Sequence, residues 1–398
     1  MYLQIIIPLL IGILLGIITG ITPGIHINLI TSLIIAYSYK ILNILDPITI
    51  TITVTSMAVT HTILDIIPTT ILGIPSTDNL TMLLPAHKLT SEGKAKLAIL
   101  YGLLGAAAGI LITTLSAPLI IKIIPAVYEK IKDVMPYILI LISSYIIIKG
   151  KNKFLSLIFF LASGITGILA FNIKTVEQPL LPLLTGLFGL SALILSISDN
   201  TKLPQQKDVK LEISKKDITS YSLTTLAASF LTNFLPGLTS SHTAMIAEKI
   251  TKIKSGAEHI IIANAANSSA TIISFIAFYT INKTRSGAVA AIEFLIKSIN
   301  IQILILITAV SLITIGISTF FAVKISNKIL KNINRLNYKK LSIAIIVFIV
   351  ILVFIISKPL SLIILFTTTS LGILSQKFNI ERIHLTGCLI FPVILYLI

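Results

Sequence analysis

The 398-residue chain is 55% hydrophobic and 12% charged, with a mean hydropathy of +1.00, which excludes a soluble globular protein and points to a polytopic membrane protein. Its apolar residues form continuous runs without the alternation of a β-barrel, so the expected class is all-α. The formal net charge of +16 does not indicate nucleic-acid binding, because Lys and Arg sit mostly in short loops between apolar runs, and the single cysteine, Cys388, excludes disulfides and a Cys-rich metal site.

The first apolar element, 3–37, has no basic residues ahead of it and outruns the core of a signal peptide, so it reads as a membrane element. It is interrupted at Pro23-Gly24. Elements follow at 48–67, 69–84, 95–121, 134–149, 154–171 and 178–199. The next, 218–247, is interrupted at Pro236-Gly237, and 259–281, 287–323 (two elements), 341–357, 359–375 and 386–398 complete the chain. A span needs about 20 apolar residues. The segment 69–84, with Pro68, Pro75 and Pro85 around it, is too short and reads as a re-entrant hairpin or half-helix. The last element, around Pro392, is also short. The expectation is an all-α polytopic membrane protein of roughly 10–12 membrane elements, located in the cell membrane.

The basic stretches Lys149–Lys153, Lys202–Lys216 and Lys324–Lys340 are assigned to the cytoplasm, together with 87–96, which leaves 122–133 and 172–179 outside. The long polar stretch divides the chain into a membrane repeat 1–199, a cytoplasmic linker 200–216 and a membrane repeat 217–398. Two ordered matches support a duplication. Pro23-Gly24 and Pro236-Gly237 are 213 residues apart, and Ile74-Pro-Ser-Thr77-Asp78-Asn79 aligns with Ile281-Asn-Lys-Thr284-Arg285-Ser286 at an offset of 207. A repeat that starts outside, followed by one that starts in the cytoplasm, is inverted. Matching broken helices in two inverted halves place a site between them.

At these residues the chain resembles the TctA family, the large membrane subunit of tripartite tricarboxylate transporters. The resemblance is carried by Thr22-Pro23-Gly24-Ile25, Leu72-Gly73-Ile74-Pro75-Ser76-Thr77 and Ser91-Glu92-Gly93-Lys94-Ala95 in the first half. In the second half it is carried by Leu235-Pro236-Gly237 and Ala263-Asn264-Ala265-Ala266-Asn267. It implies a permease that works with a small membrane subunit and an extracytoplasmic binding protein. The chain departs from the family pattern at His26, usually Gly, and at Lys283 and Arg285, where a second Gly-Ile-Pro-Gly is lost. It is also short for the family. These departures leave open a compact branch with another substrate and no binding protein.

Four polar constellations could carry function. Thr22, Gly24, His26 and Asn28, with Gly237, Thr239, Ser240 and Ser241, surround the two breaks, where free N–H groups and a helix dipole attract an anion. The alternative is that they only cap loosened backbone. Ser76, Thr77, Asp78 and Asn79, with Thr284, Arg285 and Ser286, put opposite charges at matching positions; inside the membrane Arg285 would grip a carboxylate. At the surface they would be ordinary loop charges. Asn264, Asn267 and Ser268 could coordinate Na⁺, or pack helices through small residues. His61 and Asp65, four apart on one face, could relay a proton or bind a cation, or make a buried hydrogen bond.

No catalytic motif, cofactor motif or metal-ligand set stands out, so an enzyme is not expected. The favoured reading is a secondary transporter for a small organic anion, a carboxylate, coupled to Na⁺ or H⁺. The alternatives are an intramembrane enzyme or lipid-handling protein acting on a head group, and an accessory scaffold subunit.

Overall fold

The computed structural model describes residues 3–22, 27–36, 42–73, 80–198, 204–207, 211–253, 255–332 and 338–398. The described residues are helical throughout their regular structure, and eight helices are long and apolar enough to cross a membrane. The chain is a multi-pass all-α membrane protein.

In the first half the helices are α1 (Leu3–Ile21), α2 (Ile27–Ala36), α3 (Pro47–Leu64), α4 (Ile66–Leu72), α5 (Leu80–Ser91), α6 (Ala95–Leu115), α7 (Ala117–Ile131), α8 (Met135–Lys149), α9 (Lys153–Asn172), α10 (Leu180–Leu184) and α11 (Ser191–Ser198). A π-helical turn, Thr185–Leu190, joins the last two. The second half holds α12 (Lys215–Thr232), α13 (Ser240–Thr251), α14 (Gly256–Ile281), α15 (Gly287–Ile296), α16 (Ile301–Lys331), α17 (Tyr338–Ser357) and α18 (Ser361–Lys377). A 3₁₀ turn, Arg382–Thr386, leads into α19 (Gly387–Leu397).

Small residues set the helix packing, as they must where lipid removes most of the hydrophobic drive. Gly12, Gly16 and Gly20 put one bare face of α1 against Ser56, Thr60 and Leu64 of α3. A Cβ at Gly16 would lie 2.4 Å from Thr60 Cβ. In the same way Gly105 and Gly109 of α6 lie on the backbone of Ile261 and Ala265 in α14. The two central spans are 89% buried (α3 with α4) and 83% buried (α14), whereas α17, at 22%, faces lipid. Asp46 starts α3 by accepting bonds from the N–H groups of Ile48 and Thr49 at 2.9 and 3.0 Å.

Three segments refine the sequence reading. The expected external loop 122–133 is largely helix α7: Pro118 suits a first helical turn, and Ile120 and Ile124 are buried. On either side of residues 74–79 the Pro-rich segment is helical, as α4 and α5, and Thr90 Oγ1 donates to Thr70 O at 2.9 Å and so ties α5 back to α4. The short α15 and α19, of 10 and 11 residues, reach only about 15–17 Å, half a bilayer core.

Candidate functional site

Residues flanking the first helix break and residues of the second line one cavity of about 930 Å³. α1 ends at Ile21, Thr22 forms a bend, and α2 begins at Ile27; Thr22 and Ile27 line the cavity. From the second half, Asn233, Gly237, Thr239 and Ser240 line it. Gly24, His26, Ser76, Thr77, Asp78 and Asn79 lie outside the described residues, and Asn28 falls on α2.

The second break is fully described. α12 ends at Thr232 and α13 begins at Ser240, with Gly237 at φ +84° between them. A side chain there would be strained, and its Cβ would meet Ile390 Cα at 3.0 Å. His242 holds the far side of the break. Its Nδ1 accepts from the Thr239 N–H at 3.1 Å, so the ring proton sits on Nε2 and is donated to Thr386 Oγ1 at 3.2 Å. Thr386 passes its own proton to Ile383 O. His242 is therefore fully used in capping and in docking the break on the turn before α19.

Arg285 reaches the same break from the loop between α14 and α15. It lines the cavity, and its Nη2 donates to Phe234 O inside the interruption. That bond employs one of five guanidinium N–H groups. No carboxylate among the described residues pairs with it. A charge within a membrane segment costs roughly 2.5–3.5 kcal/mol on insertion scales unless compensated. Ser286 joins it on the cavity wall, whereas Thr284 does not.

The first break carries the opposite charge. Asp65 closes α3, lines the cavity and lies beside the end of α1, since a Cβ at Gly20 would sit 3.3 Å from Asp65 N. Helix C-termini are electronegative, so this end favours a cation. His61 Nδ1 lies 3.1 Å from Thr19 Oγ1, whose proton is committed to Gly16 O. The His61 ring therefore donates from Nδ1.

On α14 the cavity-facing stripe is Asn267, Ala270, Thr271 and Ser274, the i, i+3, i+4, i+7 set. Asn264 lies to one side of that stripe. Its Nδ2 donates to Ile260 O and contacts Met82 Sδ, both at 2.8 Å, under Gly102. Ser268 donates to Ala265 O and fills the notch at Gly109. These two residues pack helices. Ser241 is buried at the start of α13 and is not on the wall.

A family model described as the tripartite tricarboxylate transporter TctA family matches residues 6–387. The chain belongs to the TctA family. Among curated proteins, it is 31% identical over 356 residues to the uncharacterized protein MJ1079 of Methanocaldococcus jannaschii, covering 85% of this chain and 86% of that one. No solved structure matches. TctA is a transporter family and not an enzyme family. Among the described residues no group of three His, Cys, Asp or Glu side chains could hold a metal ion.

The sequence reading did not reach several wall residues. Asn172 and Gln178 flank the turn after α9, and Thr185 lies in the π-helical turn. π turns recur at functional sites, but nothing in Leu180-Leu-Pro-Leu-Leu-Thr185 announces one. Thr271 and Ser274 were within reach, because they share the face of Asn267.

Proposed function

We propose that this TctA-family chain is a permease for a small organic anion bearing a carboxylate, coupled to Na⁺ or H⁺. The observation that carries this reading is Arg285: a cation with no acidic partner among the described residues, on a cavity wall, bonded into the backbone of a broken helix. A guanidinium in that position can grip a carboxylate with two parallel bonds. The first turn of α13, with Thr239 and Ser240 at the cavity, adds favourable dipole and N–H groups on the same side. Asp65 and His61, with Thr19 and Thr22 at the electronegative end of α1, are the groups to take the coupling ion, and Asn267 completes the polar wall. Membership of a tripartite family supports a small membrane subunit and an extracytoplasmic binding protein as partners.

The test is uptake of labelled carboxylates by proteoliposomes, with and without an inward Na⁺ or H⁺ gradient. Gradient-driven uptake by the wild type is expected. Arg285→Gln should lose at least ten-fold in uptake, since a hydrogen bond to a charged group contributes about 1.5–3 kcal/mol. Arg285→Lys should recover a part of it, because charge returns without the fork. Undiminished uptake by a folded Arg285→Gln variant would refute the assignment.

A further inference from the structure

We infer that the substrate of this cavity is a monocarboxylate with an apolar body, and not a tricarboxylate; this rests on the carboxylate-permease reading above. The argument begins with charge. Among the described wall residues Arg285 is the one permanent cation and Asp65 the one carboxylate, with His61 and Tyr396 the other ionisable groups. The chain segments 23–26 and 74–79, which adjoin the site in sequence, contain only His26 and Asp78 as ionisable residues. Neither segment supplies a Lys or Arg. A trianion facing one guanidinium would leave two of its own negative charges uncompensated in a low-dielectric site. Each unpaired buried ion costs several kcal/mol. A single carboxylate on Arg285 leaves none.

The second observation is the division of the wall. The break and α14 contribute polar groups, Asn233, Thr239, Asn267 and Thr271. α10, the π turn and α19 contribute mainly apolar groups: Leu181, Leu184 and Phe188 beside Thr185, and Leu389 and Val393. A citrate-like molecule, polar on every face, would set its outer carboxylates against this leucine and phenylalanine surface and lose their hydration without a partner. A branched aliphatic or aromatic acid places its head on Arg285 and its body on that surface. It gains from both walls.

Ligand-induced thermal stabilisation of the purified chain tests this without requiring partner subunits, since only a ligand that binds the folded state raises the midpoint. The probes are isovalerate and phenylacetate against succinate and citrate, each with Na⁺ present. Stabilisation by the two monocarboxylates at concentrations at least ten-fold below any effect of citrate or succinate is the expected result. Leu184→Asn, on a half-buried wall position, should weaken the monocarboxylate response by roughly ten-fold, the discrimination available to an apolar pocket. Stabilisation by citrate or succinate alone, or by all four probes equally, overturns the monocarboxylate inference and leaves the carboxylate permease standing. No response to any carboxylate overturns both. An unchanged response in a folded Leu184→Asn variant overturns the assignment of the apolar wall to the substrate body.

Discussion

Asn264 and Asn267 show how three positions along one helix separate packing from function. Both amides were visible in the sequence, and the spacing placed them together. On α14 they diverge by 60°, and the helix is so deeply buried that each side meets a different environment. Asn264 spends its NH₂ on Ile260 O and Met82 Sδ, while Asn267 stands in the cavity wall. The two truncations should therefore have opposite signatures. Asn264→Ala should lower stability by about 1–3 kcal/mol, the cost of removing a buried polar group from its partners, with transport per folded molecule nearly unchanged. Asn267→Ala should leave the melting temperature within about 2 °C and reduce uptake or alter its Na⁺ dependence. Thermal unfolding in detergent alongside uptake decides it. Loss of transport in a stable Asn264→Ala protein would put that amide back in the site. Arg285 was legible for a simpler reason: a guanidinium bordered by apolar helices must find either water, a partner or a ligand. Its carbonyl partner, Phe234, was not legible, since 51 residues separate them and nothing local encodes the contact.

At the scale of elements, the two Pro-Gly pairs were the readable signal, and the second is now described as a seven-residue interruption between Thr232 and Ser240. Its geometry depends on Gly237. Replacing it with Ala forces a side chain into φ +84° and against Ile390 Cα, so Gly237→Ala should cost at least about 1–2 kcal/mol and loosen the docking of α19. Retained stability and full uptake in that variant would show that the break tolerates a helical conformation. Gly16 and Gly20 stand close before the first break in sequence, and with Gly12 they form the seam on which α1 meets α3. Gly16→Val would drive methyl groups into Thr60 and the Met57 carbonyl, from which even a Cβ stands only 2.8 Å away. The expected outcome is failure to assemble, seen as loss of the monodisperse peak on size exclusion. That failure should be complete, because close backbone approach is the main attraction available between helices in lipid. The π-helical turn was illegible because it arises from contact: Gly186 and Gly372 let the segment and α18 approach until a Cβ at Gly186 would overlap Thr368.

At the scale of the whole molecule, several elements recur at the spacings of the sequence matches. The two central spans, Pro47–Leu72 and Gly256–Ile281, each have 26 residues. α2 and α13 start 213 residues apart and α5 and α15 start 207 apart, the same offsets as the sequence matches. Helix directions bear on whether the repeats are inverted. The seams Gly105 on Ile261 and Gly109 on Ala265, with the Thr113–Ser269 bond, run α6 parallel to α14. α6 itself runs against the α3–α4 span, for its start is tied through Gln206 to Thr90 and so to Thr70, while Gly102 lies on Ile66. The matching spans α3–α4 and α14 are thus antiparallel. The later helices agree. Ser156 near the start of α9 bonds His384 beyond the end of α18, and Ser357, just before α18, donates to Gln178 beyond the end of α9. We infer inverted repeats, and the inference makes a sided prediction. The equivalent turns around Asn152 and Lys358 should lie on opposite faces of the membrane, whereas Glu177 and Lys358, 3.6 Å apart, should share one. The basic Lys149–Lys153 turn then belongs in the cytoplasm and the Glu177–Lys358 pair outside. Cys388 is the chain's one cysteine and is buried, so a Cys388→Ala background permits single-cysteine labelling with an impermeant maleimide. Asn152→Cys should react only after the cytoplasmic face is exposed, and Glu177→Cys and Lys358→Cys should react in intact cells. Labelling of Asn152→Cys and Lys358→Cys from the same side would be incompatible with inverted repeats and would place the two helix breaks on one side of the bilayer rather than back to back around the cavity.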